Sequence, residues 1–386
     1  MQPVLHTLNA VRVIAEYCIV SFHIEFGHQV STKETYDISH FFSSHAVSVD
    51  FMSLFFVLSG FVAMYTNPNA FTDHLSKAQF IANRFKKTYP CYILSLLAGL
   101  PQFVIDYTNG NNQCTKGLVG LLCQLIGIQC WIGYRFAGAN TASWYLSTLY
   151  WLWIIFPYLK LQERLCYRPW VWVIAFYAVS IALNAAFVNF DNANTRQLPL
   201  IRIFDFLIGC AAAHTLNEQH GIRGGWVVLS LIVYFIYASL ATVYSEQWQN
   251  HKEPYQCVFW QKYTDNITLK PGSFVSLTSI LWALVLHWLA KNELENSDNI
   301  IIELLSFDFF KSLSSYSLQL YLFHCPINKA IQESFKLCGA YTWLSKDIIM
   351  VGCYCFSYCI YTRVQPRLDR VTAIICGVHF PPPLPV

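Results

Sequence analysis

Arg12, Glu16 and His23 stand in the first apolar run of this 386-residue chain, within LNAVRVIAEYCIVSFH. At about 100° per residue, Arg12 and Glu16 lie about 40° apart and Arg12 and His23 about 20° apart. One helical face therefore carries all three over about 16 Å. A neutral imidazole can take the proton of an attacking hydroxyl, because it titrates near neutral pH. A guanidinium can hold an anion beside it. Ionisable groups in an apolar segment are costly, and they usually face a bundle interior or a water-filled path. The bland alternative is an Arg12–Glu16 pair at i,i+4 with a packed His23; the alignment of all three favours chemistry.

The surroundings of these residues point to lipid. The chain is 55% hydrophobic and 17% aromatic, and only 12% charged, against roughly 25% charged for a soluble domain. That composition predicts an all-α, polytopic integral membrane bundle. A net charge of +3, with no basic run interleaved with aromatics, argues against nucleic-acid binding. No basic leader followed by a small-residue cleavage site opens the chain, so the first run reads as a retained span. The cysteines are scattered, with no C-x-x-C pair, and read as small hydrophobes; no metal is expected. Cys114, Cys257 and Cys338 lie outside the spans and are the candidates for a disulfide on an oxidising side.

Ten runs are long enough for a helix across a core of about 30 Å: 8–27, 46–65, 89–107, 141–159, 170–188, 198–216, 225–243, 272–290, 313–334 and 343–362. An eleventh, 117–134, carries three glycines with Gln124 and Gln129, and reads as a re-entrant or interfacial segment on the outer side. With both termini cytosolic, the inner segments hold more Lys and Arg than the outer ones, as the positive-inside rule requires. The sequon Asn266-Ile267-Thr268 then falls in the outer loop 244–271. Residues 1–362 form the transmembrane domain, and 363–386 a basic, proline-rich cytosolic tail.

The spacing Arg12-x10-His23 resembles the opening of the acyltransferase 3 family of membrane O-acyltransferases. Further matches follow in family order. LFFVLSGFV (54–62) is similar to the second-helix signature, and RFKKTYPCY (84–92) to the family's Arg-x-x-Arg-x-Tyr-Pro segment, with Lys87 in the second basic position. NTASWYLS (140–147) resembles the Trp-Ser-Leu-Ser segment. LIRIFDFLIGC (200–210) resembles the Arg-x-x-Glu-Phe-x-x-Gly helix, and YSLQLYLFHCP (316–326) the late Ser-Tyr-x-x-His-x-Pro helix. Two positions depart from the pattern. Leu149 stands where the family has a Glu, five residues after Trp144. Ser53 stands where it has an Asp, with Asp50 one turn earlier.

The resemblance implies transfer of an acyl group, with acetyl the expected one, from cytosolic acyl-CoA to a hydroxyl on the outer or lumenal side. A sugar or glycoconjugate is the expected acceptor, in an integral multi-pass protein with no cofactor beyond the acyl-CoA substrate. Arg84, Lys86 and Lys87, beside Tyr89 and Pro90, would hold CoA phosphates; positive-inside anchoring is the bland alternative, and the motif favours ligand binding. His23 would be the general base, with Asp50 orienting it and Arg12 a further catalytic residue neutralised by Glu16. Trp144 would shape the pocket. His324 reads either as an acceptor-binding group or as a packed residue bonded to a carbonyl freed by Pro326. Arg202 and Asp205 read as a structural ion pair, and Gly60 as a site of close helix packing. A transporter, or an inactive lipid-binding member of the family, is the rival reading; lining charges suit either.

Overall fold

Each of the ten long apolar runs is mainly helical over its described residues in the computed structural model, with a turn at 315–316 breaking the run 313–334. That model describes residues 2–27, 45–69, 71–108, 114–131, 138–165, 167–187, 197–217, 222–250, 278–296, 298–338 and 346–376. The long helices are α1 (Thr7–Gly27), α2 (His45–Thr66), α3 (His74–Thr108), α4 (Cys114–Leu125) and α5 (Trp144–Ile155), followed by α6 (Pro169–Phe187) and α7 (Pro199–His214). After them come α8 (Gly224–Asn250), α9 (Ser279–Leu294), α10 (Ser317–Leu337), α11 (Lys346–Cys359) and α12 (Gln365–Cys376). No strand occurs among the described residues. The fold is all-α, because unbroken apolar runs leave the backbone no partner but itself. Among the described residues, two helices have segments long and apolar enough to cross a bilayer, His74–Ile105 and Pro169–Ala186; Asp50–Thr66 and Gly224–Leu240 are shorter apolar helices.

The ends obey local rules. Pro169 and Pro199 open α6 and α7, where a missing N–H costs nothing and the fixed φ suits a helix. At the start of α3, Ser76 donates its backbone N–H to the Asp73 carboxylate. Segment 117–134 gives a helix of only 12 residues, Cys114–Leu125, followed by turns through residue 131. At 1.5 Å per residue that is about 18 Å, short of a crossing. The tail begins as structure: a π-helical turn, Ile360–Val364, leads into α12, so its basic residues Arg367 and Arg370 lie on a helix. The Asn266 sequon, Cys257 and the final prolines lie outside the described residues.

The chain divides into two units, one of residues 1–22, 31–70 and 160–311, the other of residues 23–30, 71–159 and 312–386. In the first, α7 packs along α2 with backbone against backbone. A Cβ on Gly60 would lie 1.9 Å from the Phe206 carbonyl oxygen, and one on Gly209 would lie 1.9 Å from that of Val57. Two glycines thus face each other's helix, the small-residue contact that lets helices approach without a hydrophobic drive. The Gly60 reading was right. Glu293 of α9 caps α1, accepting from the N–H groups of His6 (2.5 Å) and Thr7 (3.0 Å) and from the Thr7 hydroxyl (2.7 Å). A carboxylate there satisfies orphan donors and suits the positive end of the helix dipole.

In the second unit, a buried amide network joins α3, α4, α5 and α10. Gln124 Oε1 accepts from Ala139 N (2.9 Å), and its Nε2 donates to the Asn140 carbonyl (2.8 Å). Asn140 Oδ1 caps the 3-10 turn Thr141–Ser143 ahead of α5 by accepting from Ala142 N at 3.0 Å. Asn140 Nδ2 donates to Ser95 Oγ (3.1 Å) on α3 and to the Leu322 carbonyl (2.7 Å) on α10. The Tyr321 hydroxyl donates to the Ala142 carbonyl. The turn carrying Thr141 is thereby fixed against α10.

Candidate active site

His23 and His324 meet in the second unit, with ring centroids 5.0 Å apart and planes tilted by 44°. His23 is half-buried near the end of α1; His324 is fully buried on α10. The helices are tied one turn further on, where Asn328 Nδ2 donates to the His23 carbonyl (3.2 Å) and Gln332 Nε2 holds Asn328 Oδ1 (2.9 Å).

The tautomer of His324 follows from its partner. Its Nδ1 lies 2.6 Å from the Tyr321 carbonyl oxygen. A carbonyl only accepts, so Nδ1 carries the proton and Nε2 the lone pair. That Nε2 is buried with no hydrogen-bond partner among the described residues. A buried polar atom without a partner is costly, which marks it as a place for a ligand or a reaction. The carbonyl that Pro326 deprives of its donor is that of Leu322, four residues earlier, and Asn140 takes it. His324 is therefore not the proton donor that mends the proline break, and its second nitrogen remains uncommitted.

Cys325 completes the group. It is half-buried, and its Sγ and one ring nitrogen each of His23 and His324 all lie within 4.8 Å of one another. Thr141 on the capped turn sets its hydroxyl against the Cys325 sulfur. Reading the sequence as motifs passes over Cys325, because it fills the variable position of His-x-Pro. The available signal was a nucleophile type directly beside a histidine.

The other expected site residues fall into two groups. Arg84, Lys87, Tyr89 and Trp144 belong to the second unit. The Arg84 guanidinium stacks over Phe80 (5.3 Å) and Trp153 (5.6 Å). Arg84 and Lys87, at i and i+3, share a face of α3. The Tyr89 hydroxyl donates to the Leu125 carbonyl (2.6 Å), tying α3 to the end of α4. Trp144 opens α5, its ring edge-on to Tyr145 at 6.4 Å, and its carbonyl accepts from Cys130 Sγ. Leu149 is a buried apolar residue, 4% exposed.

Arg12, Glu16 and Asp50 belong to the first unit. Arg12 is half-buried and Glu16 is 2% exposed, on the helix that ends in His23. Asp50 Oδ1 accepts from the Thr278 hydroxyl (3.2 Å), and its Oδ2 has no hydrogen-bond partner among the described residues. Arg202 and Asp205 form a fully buried bridge of 2.8 Å. Arg202 also donates to Ser53 Oγ (2.8 Å), Ser279 Oγ donates to Asp205 (2.6 Å), and the guanidinium lies 5.1 Å over Phe56. Ser53, in the family's Asp position, is thus an acceptor for Arg202, while Asp205 supplies the charge.

An all-α chain with paired histidines on two helices, one of them the last residue of Arg12-x10-His23, fits a membrane acyltransferase. The chain belongs to the acyltransferase-domain family, whose model matches residues 5–362. It is similar to the acyltransferase MdmB of Streptomyces mycarofaciens, with 28% identity over 256 residues. That alignment covers 59% of this chain and 62% of the relative, so the chain spans less than two thirds of the relative's length. No solved structure matches.

Proposed function

We propose that this chain is an integral membrane acyltransferase that moves an acyl group, acetyl in the first instance, from cytosolic acyl-CoA to a hydroxyl on the outer or lumenal face. A sugar or glycoconjugate is the acceptor class. The observation that carries the reading is the meeting of His23 with His324 within a chain whose family model runs almost from end to end. Ten helices cross the bilayer with both termini in the cytosol. The apolar residues that α8 turns outward, among them Val228, Ile232, Phe235, Ile236 and Leu240, suit lipid contact and have no place in water.

His23 is the general base. It removes the acceptor proton as the oxygen attacks the thioester carbonyl, and the thiolate leaves with a proton returned by the imidazolium. Arg12, on the same helical face, stabilises charge in that step, with Glu16 as its counter-charge. Arg84 and Lys87 bind the donor's phosphates beside Tyr89. Trp144 and His324 shape the acceptor site. Asp50 supports turnover more than donor binding.

Purified protein in a bilayer mimic, given labelled acetyl-CoA and a panel of glycans, tests this. His23→Ala is expected to lower transfer by about 10²–10⁴-fold with donor binding retained. Wild-type rates in that variant end the assignment. Asp50→Asn is expected to lower kcat with little change in donor KM. A buried Leu149 in place of the family's Glu favours the second reading, an inactive lipid-binding member. A chain that binds acyl-CoA yet neither transfers nor hydrolyses it would establish that one.

A further inference from the structure

We propose that Cys325 carries the acyl group as a thioester between donor and acceptor, so that transfer runs in two steps, each served by its own histidine. The inference rests on the acyltransferase reading above and goes beyond it, since direct transfer needs only His23.

Three observations place a nucleophile here. Cys325 is half-buried as a residue, whereas Cys18, Cys91, Cys123, Cys130, Cys210 and Cys353 are buried and Cys338, Cys355 and Cys359 are exposed. Reactive cysteines are the partly accessible ones with a base and donors around them. Its sulfur stands within 4.8 Å of a ring nitrogen of each histidine. His324, buried outright, keeps Nδ1–H on the Tyr321 carbonyl and leaves the Nε2 lone pair without a partner. A nucleophile, a base within reach and a third group fixing the base's tautomer are the parts that nucleophilic catalysis needs. The third group is here a backbone carbonyl, which fixes the tautomer with no buried carboxylate. The Thr141 hydroxyl and the Lys329 side chain, one turn along α10, add a donor and a positive charge near the sulfur.

In the first step, His324 Nε2 takes the Cys325 thiol proton and Sγ attacks the donor's thioester carbonyl. The carbon–sulfur bond to the donor breaks, and the departing thiolate takes the proton from His324. One thioester replaces another, so little free energy is lost. In the second step, His23 takes the proton of the acceptor hydroxyl, and the oxygen attacks the Cys325 thioester. The carbon–Sγ bond breaks, and the Cys325 thiolate recovers its proton from the His23 imidazolium. No oxidant or further reactant is required. The scheme accounts for two histidines beside one thiol, where direct transfer leaves His324 Nε2 idle.

The test uses the full chain with labelled acetyl-CoA and no acceptor, followed by peptide mass spectrometry. An acetyl adduct on the peptide holding Cys325, released by neutral hydroxylamine, is expected. Cys325→Ala should lose the adduct and at least about 10²-fold of transfer. Cys325→Ser, nearly isosteric, should keep the fold and collect a hydroxylamine-resistant oxyester. The proposal is overturned if Cys325→Ala transfers at the wild-type rate while His23→Ala is inactive, an outcome that leaves the acyltransferase reading standing. It is also overturned if the purified chain holds about one zinc that is lost in Cys325→Ala, which would make the sulfur a metal ligand. If wild-type protein neither hydrolyses nor transfers any acyl thioester, both readings fall together.

Discussion

Asn140 donates its Nδ2 hydrogen to the Leu322 carbonyl, the acceptor in α10 that Pro326 strips of its helical donor. One amide thus repairs a break two residues before His324 and, through its Oδ1, caps the turn that bears Thr141. The consequence is a site whose geometry depends on a residue that touches no reacting atom.

Asn140→Ala should therefore lower stability and turnover together. It leaves a buried carbonyl and a buried amide N–H unsatisfied, at about 1–3 kcal/mol each. Thermal unfolding in detergent measures the first effect, and kcat under saturating donor the second. Asn140→Asp keeps the cap yet loses the donor to Leu322, so it should recover only part of the stability. Full recovery by the aspartate would show that the bond to Leu322 contributes little.

The α2–α7 crossing leaves no room for a side chain at Gly60 or Gly209, since the obstructing atoms are backbone carbonyl oxygens. Alanine at either position should cost about 1–3 kcal/mol or more, because a helix rather than a rotamer must move. Folded yield and unfolding temperature report it. Gly225, with nothing within 4 Å of an added Cβ, is the control and should tolerate alanine.

The buried Arg202–Asp205 bridge makes a different demand. Removing one partner leaves a charge uncompensated in the interior, at about 3–5 kcal/mol. Arg202→Leu and Asp205→Leu should each unfold the first unit far more readily than the double variant does, and a double-mutant cycle reads the coupling. If the single and double variants are equally unstable, the bridge adds nothing beyond its separate side chains.

Arg84 and Lys87 separate donor binding from membrane anchoring. Arg84→Gln with Lys87→Gln should raise the donor KM about tenfold or more with kcat nearly unchanged, the pattern for lost uniform binding. The shift should shrink when acetyl pantetheine, which lacks the nucleotide phosphates, replaces acetyl-CoA. An equal shift for both donors would leave only the anchoring role.

The all-α class was legible in the sequence because its cause is local. A run of about 20 apolar residues is helical wherever it sits, and a period of 3.6 puts Arg12, Glu16 and His23 on one face. Glycine in Ser59-Gly60 likewise announced close packing, since no other residue permits it. The same local logic drew 117–134 as a segment apart, where the described helix is the 12-residue α4.

Packing decided the rest. His23 and His324 are far apart in sequence, and nothing in either helix alone says that their rings meet. Pro326 shows that a carbonyl must be mended, but only the fold reveals that Asn140 mends it. His324 is thereby left with Nδ1 on Tyr321 and Nε2 uncommitted. Asp50 sits in a family-like position, yet its partner Thr278 comes from a helix start more than 200 residues away. Cys325 carried no motif of its own; its sulfur gained a chemical setting only when α1 and the Thr141 turn were placed against α10. Residue type and period are written along the chain, whereas the partner of a side chain is set by which helices pack together, and one backbone oxygen can fix the proton on a ring.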